Sequence, residues 1–331
     1  MKGKHRVIIE AERLKYEFEI KRNVTVVQGD SATGKTTLVD LIQTYGRYGQ
    51  EAGIMVTSDV PCVAFSGDAG LWKTVLDAYR DSIIFFDEDY YFIFTTEFAE
   101  AIRNSSNYYV IITRQPLNYI PYSINEIYGI RTTGKYHFPE KVYHEFYPLF
   151  PEQVMNCTEK VVLLVEDKKS GYQFYQSLND DVECISSEGN ASIAMQLEKI
   201  SKNKPVMVIA DGAAFGAYVA KVMAVAKRRS NLGMYFPESF EWVILRSGVV
   251  DIRNLDDILA HPEEYIDSGV YFSWERYFTD LLESSTKDDR IRRYDKSKLN
   301  EYYLEGKNRV AILNVLPKEL RGLLSGPMNV V

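Results

Sequence analysis

Cysteine and histidine are scarce in this sequence, and its 39 basic residues are outnumbered by 46 acids. Cys62, Cys157 and Cys184 are its only three cysteines, and none forms a C-x-x-C pair. That weighs against a disulfide scaffold or a thiolate zinc site. So sparse a set is expected to be small buried hydrophobes in a reduced, cytoplasmic setting. His5, His137, His144 and His261 have no carboxylate nearby at metal-ligand spacing, so they read as ordinary surface or core residues. The net charge of −7 argues against a strongly basic nucleic-acid binder, although a local basic patch remains open. No apolar run reaches the roughly 18 residues that a membrane span needs. The opening segment MKGKHRVIIEAERLKYEFEI lacks a long apolar core and reads as strand. Internal repeats and low-complexity segments are also missing.

What the chain does have is an ordinary globular balance, 46% hydrophobic and 26% charged. At roughly 100–200 residues per domain, its 331 residues suggest two domains.

The first chemical signal is QGDSATGKTTL, residues 28–38. Gly29, Asp30, Ser31, Ala32, Thr33, Gly34, Lys35 and Thr36 match G-x-x-x-x-G-K-[ST], and Thr37 follows. A phosphate chain needs a concave ring of backbone N–H groups, and glycines allow that tight turn. The lysine reaches the outer phosphates, and the Thr36 hydroxyl is placed to ligate Mg²⁺. The required context is present: an apolar, β-branched strand (NVTVVQ) precedes the loop, and a helix with apolar residues at helical spacing (TLVDLIQT) follows. ATP and Mg²⁺ are the expected ligands.

A magnesium site needs a second part, an apolar strand ending in an acid. SIIFFDED, residues 82–89, supplies it. Asp87 falls at the carboxyl end of a buried strand, where α/β sheets place ligands. Glu88 comes next, where a carboxylate can orient and deprotonate an attacking water; the plainer alternative is a solvated loop acid. A third apolar strand, YYVIITRQP, ends in Thr113 and Arg114. The N-terminal segment reads as antiparallel strands feeding the loop strand.

Together these features resemble the ATP-binding-cassette type of P-loop ATPase. The resemblance implies that Asp87 holds magnesium with Thr36, that Glu88 is the catalytic base, and that Arg114 stands where the family has a γ-phosphate-sensing histidine. The family's L-S-G-G-Q signature is missing. FSGDAGLW, residues 65–72, is the nearest glycine-containing stretch and does not match. The resemblance covers roughly residues 1–130.

After Arg114 the pattern loosens, with five of the eleven prolines falling between residues 115 and 153. A fresh strand–helix alternation then begins. KVVLLVED ends an apolar strand in Glu166 and Asp167, DVECISS is a second strand, KPVMVIAD ends in Asp211, and FEWVILRS reads as a fourth strand. Such alternation implies a parallel sheet with helices on its faces. Strand–Glu followed by strand–Asp resembles the TOPRIM fold of topoisomerases, primases and the OLD nucleases. OLD proteins also join a P-loop ATPase to a TOPRIM domain in this order. The resemblance implies Glu166 and Asp211 as catalytic and metal-binding residues. Ala213 stands where the family has its second aspartate, Ser170 where some members have another acid, and Asp167 or Glu241 could compensate. The alternative is an ordinary flavodoxin-like domain whose strand-end acids are loop residues.

Lys227, Arg228 and Arg229 form one basic cluster, and Arg290, Arg292, Arg293, Lys296 and Lys298 form another. Each reads either as a phosphate-backbone contact or as a solvated helix end. The tail from Ser273 is helix-rich and amphipathic, suited to packing or oligomerisation.

The expected fold is thus α/β. A P-loop ATPase domain spans 1–135, a connector 136–157, and a TOPRIM-like domain with a helical tail 158–331. The expected function is ATP binding and hydrolysis gating a second domain that acts on or binds nucleic acid. The alternative is an ATP-driven switch whose inactive second domain binds a partner protein. A homo-oligomer fits either reading. A P-loop kinase fits less well, because no arginine-rich lid segment is apparent.

Overall fold

The computed structural model describes residues 1–29, 33–133, 141–150, 161–178 and 182–324. The chain forms two compact units: Met1–Phe150 with His261–Ser273, and Pro151–Ala260 with Trp274–Val331. Among the described residues, no helix is long and apolar enough to cross a membrane.

The first unit is built on a nine-stranded, mostly parallel sheet. Its strands are β1 (His5–Glu10), β2 (Leu14–Ile20), β3 (Val24–Val27), β4 (Met55–Thr57), β5 (Cys62–Ala64), β6 (Ile83–Phe86), β7 (Tyr108–Ile112), β8 (Ile127–Thr133) and β9 (Val142–Pro148). They lie in the order β4-β1-β2-β9-β8-β3-β7-β6-β5. β3, β6 and β7 are buried along their whole length, as four- and five-residue apolar runs dictate for strands covered on both faces.

Helix α1 (Lys35–Tyr48) covers one face. Its Leu38, Val39 and Ile42 join Val27, Phe85, Val110 and Ile112 in one core. Burying a leucine or isoleucine stabilises by about 1.5–3 kcal/mol, so this face holds the start of α1 firmly against the end of β3. The other face is aromatic. Trp72 on α2 (Trp72–Ala78) stacks on Phe92 at 5.4 Å, and Phe98 on α3 (Thr96–Arg103) meets Phe86 edge-on at 5.3 Å.

β9 lies in the stretch expected to be a connector. It pairs with β8 antiparallel and with β2 in parallel, so the first unit runs on to Phe150. The segment His261–Ser273 also belongs to this unit. Ser268 explains why: its hydroxyl accepts from the Met1 ammonium (2.9 Å) and donates to the Ser106 carbonyl (3.2 Å), while its carbonyl accepts from Asn23 (3.2 Å).

The second unit has a parallel four-stranded sheet in the order β11-β10-β12-β13, made of β10 (Val162–Val165), β11 (Cys184–Ser186), β12 (Val206–Ile209) and β13 (Leu232–Tyr235). Its helices include α4 (Ser170–Ser177), α5 (Ile193–Lys199), α6 (Gly216–Ala226) and α7 (Phe240–Arg246). The stretch FEWVILRS, expected as the fourth strand, is α7, and the fourth strand is LGMY just before it. Ser239 decides this. Its side chain caps the helix by accepting from the Trp242 N–H at 3.1 Å, with Glu241 in the first turn. Gly212 lies close under the loop after β13, where a Cβ would sit 2.6 Å from the Phe236 carbonyl oxygen.

Candidate functional site

In the first unit, the loop between β3 and α1 carries the phosphate-loop residues. Asp30, Ser31 and Ala32 lie outside the described residues. Gly34 sits at φ 92°, a left-handed conformation that caps α1, and a Cβ there would meet the Tyr16 hydroxyl at 2.7 Å. Only glycine satisfies both constraints. Lys35 is the first residue of α1 and is buried. Its ammonium donates to the Gly29 carbonyl at 2.9 Å and the Thr33 hydroxyl at 3.1 Å. It therefore arches over the loop from which it emerges, while Thr36 and Thr37 are exposed.

Sheet order gathers the other expected residues. β7 lies between the loop strand β3 and the acid strand β6, so Thr113 and Arg114 leave the sheet between Lys35 and Asp87. Asp87 is 8% exposed, and its Oδ1 accepts from the Glu88 N–H at 2.7 Å. Burial first, then repulsion from Asp89 and Glu88, raises its carboxyl above the usual range, against a hydrogen bond from the Thr36 side chain. Glu88 is half-buried and pairs with the exposed Arg114, Oε2 to Nε, at 3.3 Å. Asp87, buried and joined to the Thr36 hydroxyl, offers one carboxylate and one hydroxyl oxygen, and a hard Mg²⁺ is commonly held by one or two protein carboxylates with water and phosphate completing its shell.

Two residues at this site escaped the sequence reading. Tyr16 on β2 donates its hydroxyl to the Gly34 carbonyl at 2.9 Å, and His144 on β9 stacks on the Tyr16 ring at 4.6 Å. They are cross-strand partners in the parallel β2–β9 pair. The alternation in LKYEFEI marks Tyr16 as inward-facing, but nothing local to either strand says that the two strands pair.

In the second unit, β10 and β12 are adjacent and place Glu166 and Asp211 together at their carboxyl ends. The Asp211 N–H donates to Glu166 Oε2 at 3.2 Å, and Asp211 Oδ1 accepts from the Phe240 N–H at 3.1 Å. A small pocket there is lined by Glu166, Asp211, Ser170, Phe240, Glu241 and Lys296. Burial raises the Glu166 carboxyl above its usual range, and raises Asp211 further, with Glu275 and Glu166 adding repulsion. Glu241, on the first turn of α7, is fully buried. Its Oε1 accepts from the Tyr294 hydroxyl at 2.7 Å and faces Lys296 Nζ at 3.4 Å, while its Oε2 has no hydrogen-bond partner.

Lys296 thus belongs to the pocket and not to a solvated basic face. Its ammonium also meets Glu275 Oε1 at 2.8 Å. Burial works against its charge, but Glu241, Asp211 and Glu275 outweigh that and hold it above the ordinary lysine range. Asp167, at the pocket's edge, pairs with Lys169 at 3.1 Å, and Ala213 is buried. Among the described residues, no three His, Cys, Asp or Glu side chains converge closely enough to hold a metal.

The other basic cluster is largely structural. Arg229 is buried and donates to the carbonyls of Leu197, Ile200, Ser201 and Lys204 at 2.7–3.0 Å, closing the end of α5. Arg228 pairs with Glu198 at 3.0 Å. No family model and no curated protein matches this chain.

Proposed function

We propose that the first unit binds ATP with Mg²⁺ on the loop at Gly29–Thr37 and hydrolyses it. The observation that carries this reading is the convergence of Lys35, Thr36, Asp87, Glu88 and Arg114 at the carboxyl ends of three parallel strands in the order β3-β7-β6. Open α/β sheets bind ligands at those ends. Thr36 and Asp87 would hold the magnesium, which when bound spreads the negative charge of the outer phosphates.

The chain's own residues do the rest. The N-terminus of α1 and the loop N–H groups take the phosphates, and the Lys35 ammonium trades its loop acceptors for phosphate oxygens. Glu88 takes the proton from the attacking water. Arg114, held beside Glu88 in this structure, moves its charge to the γ-phosphate and frees the carboxylate.

Single-turnover hydrolysis tests the assignment. Wild-type protein converts bound ATP to ADP, and Glu88→Gln retains ATP largely unconverted. Equal rates would remove Glu88 from the reaction.

For the second unit, the OLD-like nuclease and the partner-binding domain make different demands. Lys296 inside the carboxylate pocket and Ala213 in place of an acid favour a binding domain driven by the ATPase.

A further inference from the structure

The Gly34 carbonyl at the start of α1 accepts two hydrogen bonds. One comes from the Leu38 N–H at 3.0 Å and is the first bond of the helix. The other comes from the Tyr16 hydroxyl at 2.9 Å, from a different strand of the sheet. The Leu38 bond alone starts α1, so the second donor has another use. A planar trans peptide points its C=O and its N–H in opposite directions. Holding the Gly34 oxygen on Tyr16 therefore aims the Lys35 N–H out of the helix N-terminus, where phosphate oxygens are taken. A turned peptide would present its oxygen to the phosphates instead. Gly34, at φ 92°, has no side chain of its own to resist that turn, so the restraint must come from a neighbour.

Tyr16 is built to supply it. The residue is buried in the same core as Leu38 and Val39 of α1. On its other side the His144 ring stacks at 4.6 Å with the planes only 16° apart. The His144 ring reaches the loop as well, since its Cε1 would lie 3.5 Å from a Cβ at Gly34. Burial pushes the Tyr16 hydroxyl up to about 12, so it remains a donor at neutral pH. β2 and β9 thus form a fixed support beneath the last glycine of the loop.

We propose that Tyr16 is a positioning residue of the nucleotide site, whose hydroxyl fixes the Gly34–Lys35 peptide in the orientation that offers the phosphates a backbone N–H. It touches no phosphate itself and acts through the peptide it holds. The inference rests on the nucleotide reading above and adds to it a contribution from β2, outside the loop.

The test is equilibrium titration of the full chain with Mg²⁺-ATP, reading affinity and the number of sites separately. Tyr16→Phe is expected to bind about 5-fold more weakly than wild type with the same number of sites, the effect of one net hydrogen bond. A merely structural role would instead lower the fraction of protein that binds and leave the affinity of the remainder unchanged, and that result overturns the proposal. Tyr109→Phe is the control. It deletes another buried hydroxyl of the same sheet, hydrogen-bonded to Ser105 at 2.7 Å, and should keep wild-type affinity. An equal loss in Tyr109→Phe would mean general loosening and also overturns the proposal. Should Tyr16→Phe not fold, His144→Leu, which removes the ring stacked on Tyr16, is read in the same way. Wild type that binds Mg²⁺-ATP no more tightly than the folded variant overturns this inference alone. Wild type that binds no Mg²⁺-ATP overturns it together with the nucleotide reading.

Discussion

The phosphate loop of the first unit and the carboxylate pocket of the second share a plan but differ in what faces the acid. In both, an apolar parallel strand ends in a carboxylate that burial holds above its usual range, Asp87 in one and Asp211 in the other. Beside Asp87 stand more acids and an exposed threonine, and Lys35 is tied to its own loop. Around Asp211 a lysine already sits among the acids. A strand-end acid therefore marks a place where charge is needed, and the rest of the fold decides whether a ligand or the chain supplies it.

The sharpest way to break this comparison is to remove the internal cation. Lys296→Met should destabilise the second unit by about 3–5 kcal/mol, the usual cost of leaving a buried charge without its partner. Urea unfolding would read this. A variant as stable as wild type would mean that the pocket does not need the ammonium.

In the first unit the largest effect should be kinetic. Glu88→Gln should slow single-turnover hydrolysis by about 10²-fold or more while leaving nucleotide affinity nearly unchanged, the usual contribution of a positioned base.

Asp87 sharpens the comparison on two axes. Asp87→Asn should weaken Mg²⁺-ATP binding by ~10-fold and leave binding in EDTA unchanged, because a charge-assisted contact is lost only when the metal is present. The same change should raise the melting temperature at pH 7. The folded state holds the Asp87 carboxyl above its unfolded value, so its contribution to stability is full below about pH 4 and is lost as pH rises through the folded value. The advantage of the Asp87→Asn variant over wild type should therefore shrink as pH falls towards about 4. An advantage that does not change with pH would mean Asp87 is not the strained group. The smallest effect should come from Tyr16→Phe. It removes the hydroxyl donated to the Gly34 carbonyl and should cost the first unit about 1 kcal/mol in urea unfolding.

The parts legible in the sequence were those coded locally. Four-residue apolar runs marked β6, β10 and β12, and acids follow them where strand ends require, while the β-branched run VTVV marked β3. The glycine loop followed by an amphipathic stretch marked α1. What stayed hidden depended on pairing at a distance. β9 reads as a proline-bounded connector because its partners β2 and β8 are distant or weakly patterned. α7 resembles a strand because five of its seven residues are buried, which hides its helical period, and only the cap at Ser239 distinguishes it. Lys296 looks like one member of a basic surface run, and only the turn that fastens it to α4 carries it inward. The charge-neutralising residue is the least legible part of either site, because any lysine brought there by the fold will serve.

The central claim is that the Gly29–Thr37 loop binds ATP, and equilibrium titration of wild type against Lys35→Ala tests it most directly. Removing a buried ammonium that contacts phosphate should cost about 1.5–3 kcal/mol, a roughly 10- to 100-fold loss of Mg²⁺-ATP affinity. Unchanged affinity in a folded Lys35→Ala protein would contradict the account.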